Sequence, residues 1–313
     1  MYVLDVLVGF TRFARIPLII TSIFGNTAVV IVLLGYKSLR RNSSNMLIAQ
    51  LGFADFVLGI GLLIRGIQTE VYLATNVQIL NRYVCMLYGS MTILGMNLMQ
   101  ATIIMITLDR LFVIVFPIFY RQHVGSTRLS IVRFIVGIVT SLISFGGQFI
   151  DFPFQTDVTI CSSGATWSDG YRFYFMIFSA SASMLTIVLN VGIIAIYRLR
   201  KQLSTNRKEN ALVIAQTAII VSYTIFWCVP TIVYLMAMII GYQATVFGSI
   251  TLVLSIGSGF FASLNPFLFL WKHIEFRKFF VSFYRLEKIF ERKSITAIVN
   301  IPPNTAVESI SHK

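Results

Sequence analysis

Charge is what this chain has least of. Only 12% of its 313 residues are charged, and Asp plus Glu number 12 against 25 Lys plus Arg. A soluble domain of this length needs a far more polar exterior, so a water-facing surface is excluded. The apolar stretches hold no His-Glu-x-x-His zinc site, no Gly-x-Gly-Asp pair of aspartates and no Ser/His pairing. Hydrolytic chemistry therefore has no residues to run on, and the chain is not expected to be an enzyme. Between Ala244 and Trp271 there is no lysine, which excludes a covalent retinal. There is no inverted hydropathy repeat of the kind that marks many transporters. From Ser294 onward there is no cysteine, so that segment cannot carry a palmitoyl anchor.

What the chain does have is long apolar runs. Apolar residues make up 57% and the mean hydropathy is +0.81. Seven runs have the length that crosses a hydrocarbon core as a helix: 14–36, 46–69, 83–108, 130–150, 173–197, 211–240 and 244–271. Backbone groups in lipid must satisfy one another, so each run reads as a helix and the fold as an all-α bundle of seven membrane spans. A cleaved signal peptide is not expected, because no small-residue cleavage site precedes the first run.

Seven spans put the two termini on opposite sides. With the N-terminus outside, the inner segments hold twelve basic residues from Lys37 to Lys208 and eight more from Lys272 onward, against five outside: Arg12, Arg15, Arg65, Arg82 and Arg172. By the positive-inside rule this places the N-terminus outside the cell and the C-terminus in the cytoplasm. The net charge of +13, spread over short loops, points to anionic lipid and an acidic-rimmed cytoplasmic partner rather than to nucleic acid. The sequon Asn42-Ser43-Ser44 falls on the inner side, where it should not be glycosylated. Cys85 and Cys161 fall on the oxidising side, where a disulfide can persist, whereas Cys228 lies inside the sixth run.

The domain plan is a short outer N-terminus (1–13), the bundle (14–271), an interfacial helix (272–293) and a polar cytoplasmic tail (294–313). The interfacial helix is read from Phe276, Phe279, Phe280 and Phe283 at i, i+3, i+4, i+7, with Arg277, Lys278, Arg285 and Lys288 among them.

Polar residues inside a bilayer are costly and mark function or structure. Asp55 lies midway along the second run, with Asn26 and Asn265 at comparable depth on the first and seventh. This polar core is either a clamp that fixes helix register or a switch, and the two are compatible. Asp109-Arg110 ends the third run; the arginine is either a snorkelling anchor or a group that exchanges one acid for another partner as helices separate. Pro230 and Pro266 each remove a helix hydrogen bond and can act as hinges.

Taken together, these motifs resemble the rhodopsin-like G-protein-coupled receptors. Gly25-Asn26, the stretch Asn45 to Gly59, Leu108 to Arg121 with Pro117 eight residues after Asp109, Pro230, and Asn265-Pro266 stand as that family's motifs do. Cys85 precedes Arg110 by 25 residues, the family's spacing to its disulfide cysteine. In texture the chain is most similar to the nematode serpentine receptors of the sx class, a group of chemoreceptors. There are departures. Leu111 stands for the tyrosine of Asp-Arg-Tyr and Phe269 for that of Asn-Pro-x-x-Tyr. Trp227-Cys228-Val229-Pro230 puts Cys228 at the toggle tryptophan, the family's span-four tryptophan and span-five proline are missing, and its span-six acid aligns with Asn210 beside Glu209.

The resemblance implies a plasma-membrane receptor that binds an extracellular ligand and activates a heterotrimeric G protein, with no cofactor and no metal. A transporter or channel is the alternative. It implies a Cys85–Cys161 disulfide and a coupling switch of Asp109, Arg110, Asn265 and Pro266. Amine receptors of the family carry an aspartate seven residues after the disulfide cysteine, and here that residue is Thr92, which disfavours a biogenic amine. The expected pocket draws on Arg65, Glu70, Thr92, Met96, Asn97, Gln100, Trp227 and Cys228. Its ligand is expected to be a peptide or a small odorant-like molecule, neutral or bearing an acid that Arg65 could pair with.

Overall fold

Lipid offers a backbone no hydrogen-bond partners, and among the described residues the chain answers with seven helices that are long and apolar enough to cross a bilayer. The computed structural model describes residues 2–76, 79–116, 118, 120, 127–154, 156–158, 161–201, 218–241, 244–272 and 274–284. The spans are Arg12–Gly35, Ser43–Ala74, Arg82–Val115, Arg128–Gly147, Asp169–Ile196, Ala218–Ile240 and Ile250–Trp271, numbered one to seven below.

Helix starts follow local chemistry. The side chain of Asn42 accepts from the Ser44 amide at 3.0 Å to cap span two, and Asn81 accepts from Val84 at 3.2 Å to cap span three. Span six ends at Gly241, whose φ of 79° is the left-handed turn that glycine takes without strain. The helix of span one begins at Tyr2, so residues expected to form a separate leading segment are already helical. Span three runs to Val115, past the 108 at which its apolar run stops. Intrahelical hydrogen bonds carry a helix beyond the point where hydropathy ends.

Span two is the most enclosed helix and packs on spans one, three, four and seven; span three packs on two, four and five. The closest approach is reciprocal. A side chain on Gly61 would overlap the Thr92 backbone, and one on Gly95 would meet Leu58. Small residues at such crossings let two backbones approach where lipid gives no hydrophobic drive. The opposite surface is apolar, with Ile143, Val188, Val191 and Ile239 exposed, as a lipid-facing wall must be.

Two short strands, β1 (Leu80–Asn81) and β2 (Asp157–Val158), pair antiparallel at the end of the bundle near Cys85, here termed the disulfide end. The helix Ile274–Phe283 follows span seven. Its phenyl rings do more than face lipid: Phe276 is buried in the main core, and Phe279 packs on Tyr36 with ring centroids 4.5 Å apart. Residues 285–313, including Arg285, Lys288 and the tail, lie outside the described residues, as do Arg121, Glu209 and Asn210.

Candidate functional site

Proline explains the polar core better than the aspartate does. Pro266 has no amide hydrogen and leaves the carbonyl of Ala262, four residues back, without its helical partner. Asn26 Nδ2 donates to that carbonyl at 3.0 Å, and the Pro266 ring packs against Gly25. Next to the proline, Asn265 Nδ2 donates to Asp55 Oδ2 at 2.6 Å in a fully buried contact. Spans one, two and seven are thus pinned at one depth. Asn26 bonds the proline-freed carbonyl rather than Asp55 itself. The three inward oxygens, Asp55 Oδ1, Asn26 Oδ1 and Asn265 Oδ1, have no hydrogen-bond partner among the described residues.

Pro230 has a different answer. The carbonyl it frees is that of Phe226, and span seven meets it with Gly257, where any side chain would overlap that oxygen. The turn before the proline, Thr224–Cys228, is a π-helix, the wide turn that commonly accompanies a break in a helix ladder. It carries the expected pocket floor: Trp227 and Cys228 are both buried, and Trp227 stacks on Tyr223. Cys228 is a free thiol.

At the other end, the Asp109 end, the carboxylate is a hub. Arg133 of span four donates Nη1 to Asp109 Oδ1 at 2.8 Å and to Ser43 Oγ at 2.9 Å. Ser44 donates to Oδ2 at 3.2 Å, and the Tyr120 hydroxyl donates to the carboxylate at 3.1 Å. Burial pushes the Tyr120 phenol up, and the Asp109 charge pushes it the same way, so it stays a donor. Arg110, by contrast, lies 3.9 Å from Asp109 Oδ2, a long contact for an ion pair, and its Nε is buried without a partner among the described residues.

The disulfide end is closed by the segment between spans four and five. Cys85 and Cys161 are bonded, with Cα atoms 5.4 Å apart. From there the chain dips into the bundle as a short helix, Ser163–Thr166, whose Gly164 amide donates to Thr251 Oγ1 of span seven at 3.1 Å. Arg65 Nη1 donates to the Cys161 carbonyl at 2.7 Å and Nη2 to Ser163 Oγ at 3.0 Å. Arg82 holds the carbonyls of Thr166 and Trp167 at 2.8 and 2.6 Å.

Of the pocket residues read from the sequence, Thr92, Met96, Asn97, Gln100, Trp227 and Cys228 are buried in the bundle. Gln100 Nε2 donates to Ser179 Oγ of span five at 3.0 Å, and Thr92 sits against Gly61. Glu70 stands apart: it is exposed and takes Arg12 Nε at 2.7 Å, and the buried guanidinium close enough to interact with it is Arg15, not Arg65.

A family model described as the serpentine type 7TM GPCR chemoreceptor Srsx matches residues 19–284 of this chain. The chain belongs to that family. The serpentine chemoreceptor is also 26% identical over 204 residues, 64% of its own length, to the Tyramine receptor Ser-2 of Caenorhabditis elegans. It spans 43% of that receptor. Membership makes it a multi-pass membrane receptor of the G-protein-coupled class and not an enzyme.

Several of this chemoreceptor's structural residues do not stand out in the sequence. Arg133 reads there as one more inner positive charge, yet it holds Asp109. The signal was present: a basic residue a turn inside an apolar run must face a partner in the bundle. Ser43, Ser44 and Tyr120 carry no such signal, because their role exists only once spans two, three and four meet. Arg15 is 7% exposed and reaches Thr69 on span two, a partner its place on an outer helix turn does not reveal.

Proposed function

We propose that this chemoreceptor sits in the plasma membrane with its disulfide end and N-terminus outside and its C-terminus in the cytoplasm. There it binds an extracellular small molecule or peptide and drives nucleotide exchange on a heterotrimeric G protein through Arg110. The orientation rests on the basic residues, which crowd the Asp109 end. The observation that carries the coupling role is the state of that end. Asp109 is occupied by Arg133, Ser44 and Tyr120, so among the described residues Arg110 is held by a single 3.9 Å contact. A buried guanidinium so weakly engaged is free to take a new partner when the helices part.

The proline-broken turns supply the movement. Trp227 and Cys228 occupy the wide turn beside Pro230, and the Asp55–Asn265 bond lies between them and the Asp109 end, in the path of any shift of span seven. The relative named for tyramine binds an amine. Here the amine-pairing position is Thr92, which cannot neutralise an ammonium group, so the ligand differs in class.

The test uses cells expressing the full chain with a broadly coupling Gα reporter, challenged with pools of odorants and peptides. Arg110→Ala is expected to abolish the response at unchanged surface abundance. A response of wild-type size in that variant makes the arginine a topology anchor and removes this reading.

A further inference from the structure

The disulfide end holds two guanidiniums away from solvent: among the described residues Arg65 has no carboxylate beside it, and Arg15 feels only the exposed Glu70, which is already paired with Arg12. Arg65 is 4% exposed and Arg15 7%. The described acids at this end, Glu70, Asp151, Asp157 and Asp169, are all exposed. Glu70 is taken by Arg12 and Asp169 by Arg172, at 3.0 Å. Arg65 instead binds neutral acceptors, the Cys161 carbonyl and the Ser163 hydroxyl. Arg15 meets the Thr69 hydroxyl at 3.3 Å, and its buried Nε has no partner among the described residues.

The two are neighbours. Thr69 Oγ1, the acceptor for Arg15, itself donates to the Arg65 carbonyl at 2.8 Å, so both cations lie within one turn of span two. Space for Arg65 is kept by span three, where a side chain at Gly89 would overlap Nη2.

Burying a cation without a counter-ion is costly, and paired charges bond more strongly than charge to neutral carbonyl. We propose that Arg65 and Arg15 form an anion subsite, and that the ligand is an amphiphilic carboxylic acid whose carboxylate takes Arg65 from the Cys161 carbonyl and the Ser163 hydroxyl. This rests on the receptor reading above and gives it a ligand class. Binding also loosens the covering segment from span two, leaving it the Gln68 Nε2 contact to Cys161 Sγ at 2.9 Å, while Gly164 still holds it to span seven, which couples occupancy to the lid. The same two cations repel an ammonium group, so the chemistry is the inverse of an amine site.

The experiment uses the full chain in lipid nanodiscs and a series of straight-chain and aryl-substituted carboxylic acids, each paired with its own primary amide. Thermal unfolding is followed against concentration. At least one acid is expected to stabilise the protein with an apparent affinity on the order of tenfold better than its amide, the size of one charge-assisted contact. Arg65→Gln should erase that preference, Arg15→Gln should weaken it, and Arg12→Gln, which breaks only an exposed pair, should leave it intact. If Arg65→Gln does not fold, Arg65→Lys keeps the charge, loses the fork and should retain a reduced preference. A series in which no acid exceeds its amide overturns the proposal, as does a preference that survives in Arg65→Gln. The assay contains no G protein. Acid binding without nucleotide exchange therefore removes the receptor reading alone, and exchange driven by an amine or a neutral ligand removes the anion subsite alone.

Discussion

The two ends of one bundle treat buried arginine in opposite ways. At the Asp109 end the protein supplies its own acid, and Arg133 meets Asp109 at 2.8 Å with Ser44 and Tyr120 completing the shell. At the disulfide end Arg65 and Arg15 are buried among hydroxyls and a carbonyl. The first arrangement is closed around Arg133 and leaves only Arg110, 3.9 Å from the same carboxylate, loosely engaged among the described residues. The second is electrically incomplete at Arg65, which has no acid beside it among the described residues, and this suits an end that receives something from outside. The lesson is that burial alone does not mark a binding group; burial without a counter-charge does.

Substitutions can break or sharpen that contrast. The largest effect is expected from Asp109→Ala, which strands Arg133 in the membrane. Removing one partner of a buried pair typically costs about 3–5 kcal/mol, read as a lowered unfolding midpoint of the purified protein. A loss below about 1 kcal/mol would mean the pair is already well solvated and the two ends are alike. Next comes Cys85→Ser, which removes the covalent part of the disulfide end. About 2–4 kcal/mol is the usual size, and the lower part of that range is expected because Arg65, Arg82 and Thr251 still hold the segment. The smallest effect is expected from Arg65→Met. It leaves a carbonyl and a hydroxyl without their donor but also removes an uncompensated charge, so the net change should stay within about 1.5 kcal/mol of zero. Equal losses from Asp109→Ala and Arg65→Met would erase the contrast.

The bundle was legible because a bilayer demands about 20 apolar residues per crossing, and nothing in the loops mimics that. The ends of the spans were less so. Hydropathy stops where polar residues begin, whereas the helix of span three continues through Asp109-Arg110 to Val115. Asp55 and Asn265 could be paired from depth alone, and they are bonded at 2.6 Å. Asn26 could not be assigned correctly that way, because its partner is a backbone carbonyl exposed by Pro266 on another helix. Glu70 looked like a pocket acid from its place near the end of span two, but a helix turn decides direction and it faces out toward Arg12. Partners such as Arg133 with Asp109 depend on which helices become neighbours, and no local pattern carries that.

The wide turn at Thr224–Cys228 has a consequence for reading span six. It takes in one residue more than an α turn, so the two halves of the helix stand out of phase by about 100°. Tyr223 and Tyr234, which three-and-four spacing would place on one stripe, are both buried but join different clusters. Tyr223 packs with Trp227 and Phe261 in the main core, and Tyr234 belongs to a separate cluster with Met176 and Leu254. One helix thereby serves two cores. Deleting a single residue within the turn would realign the stripe and swing one of those tyrosines out of its cluster.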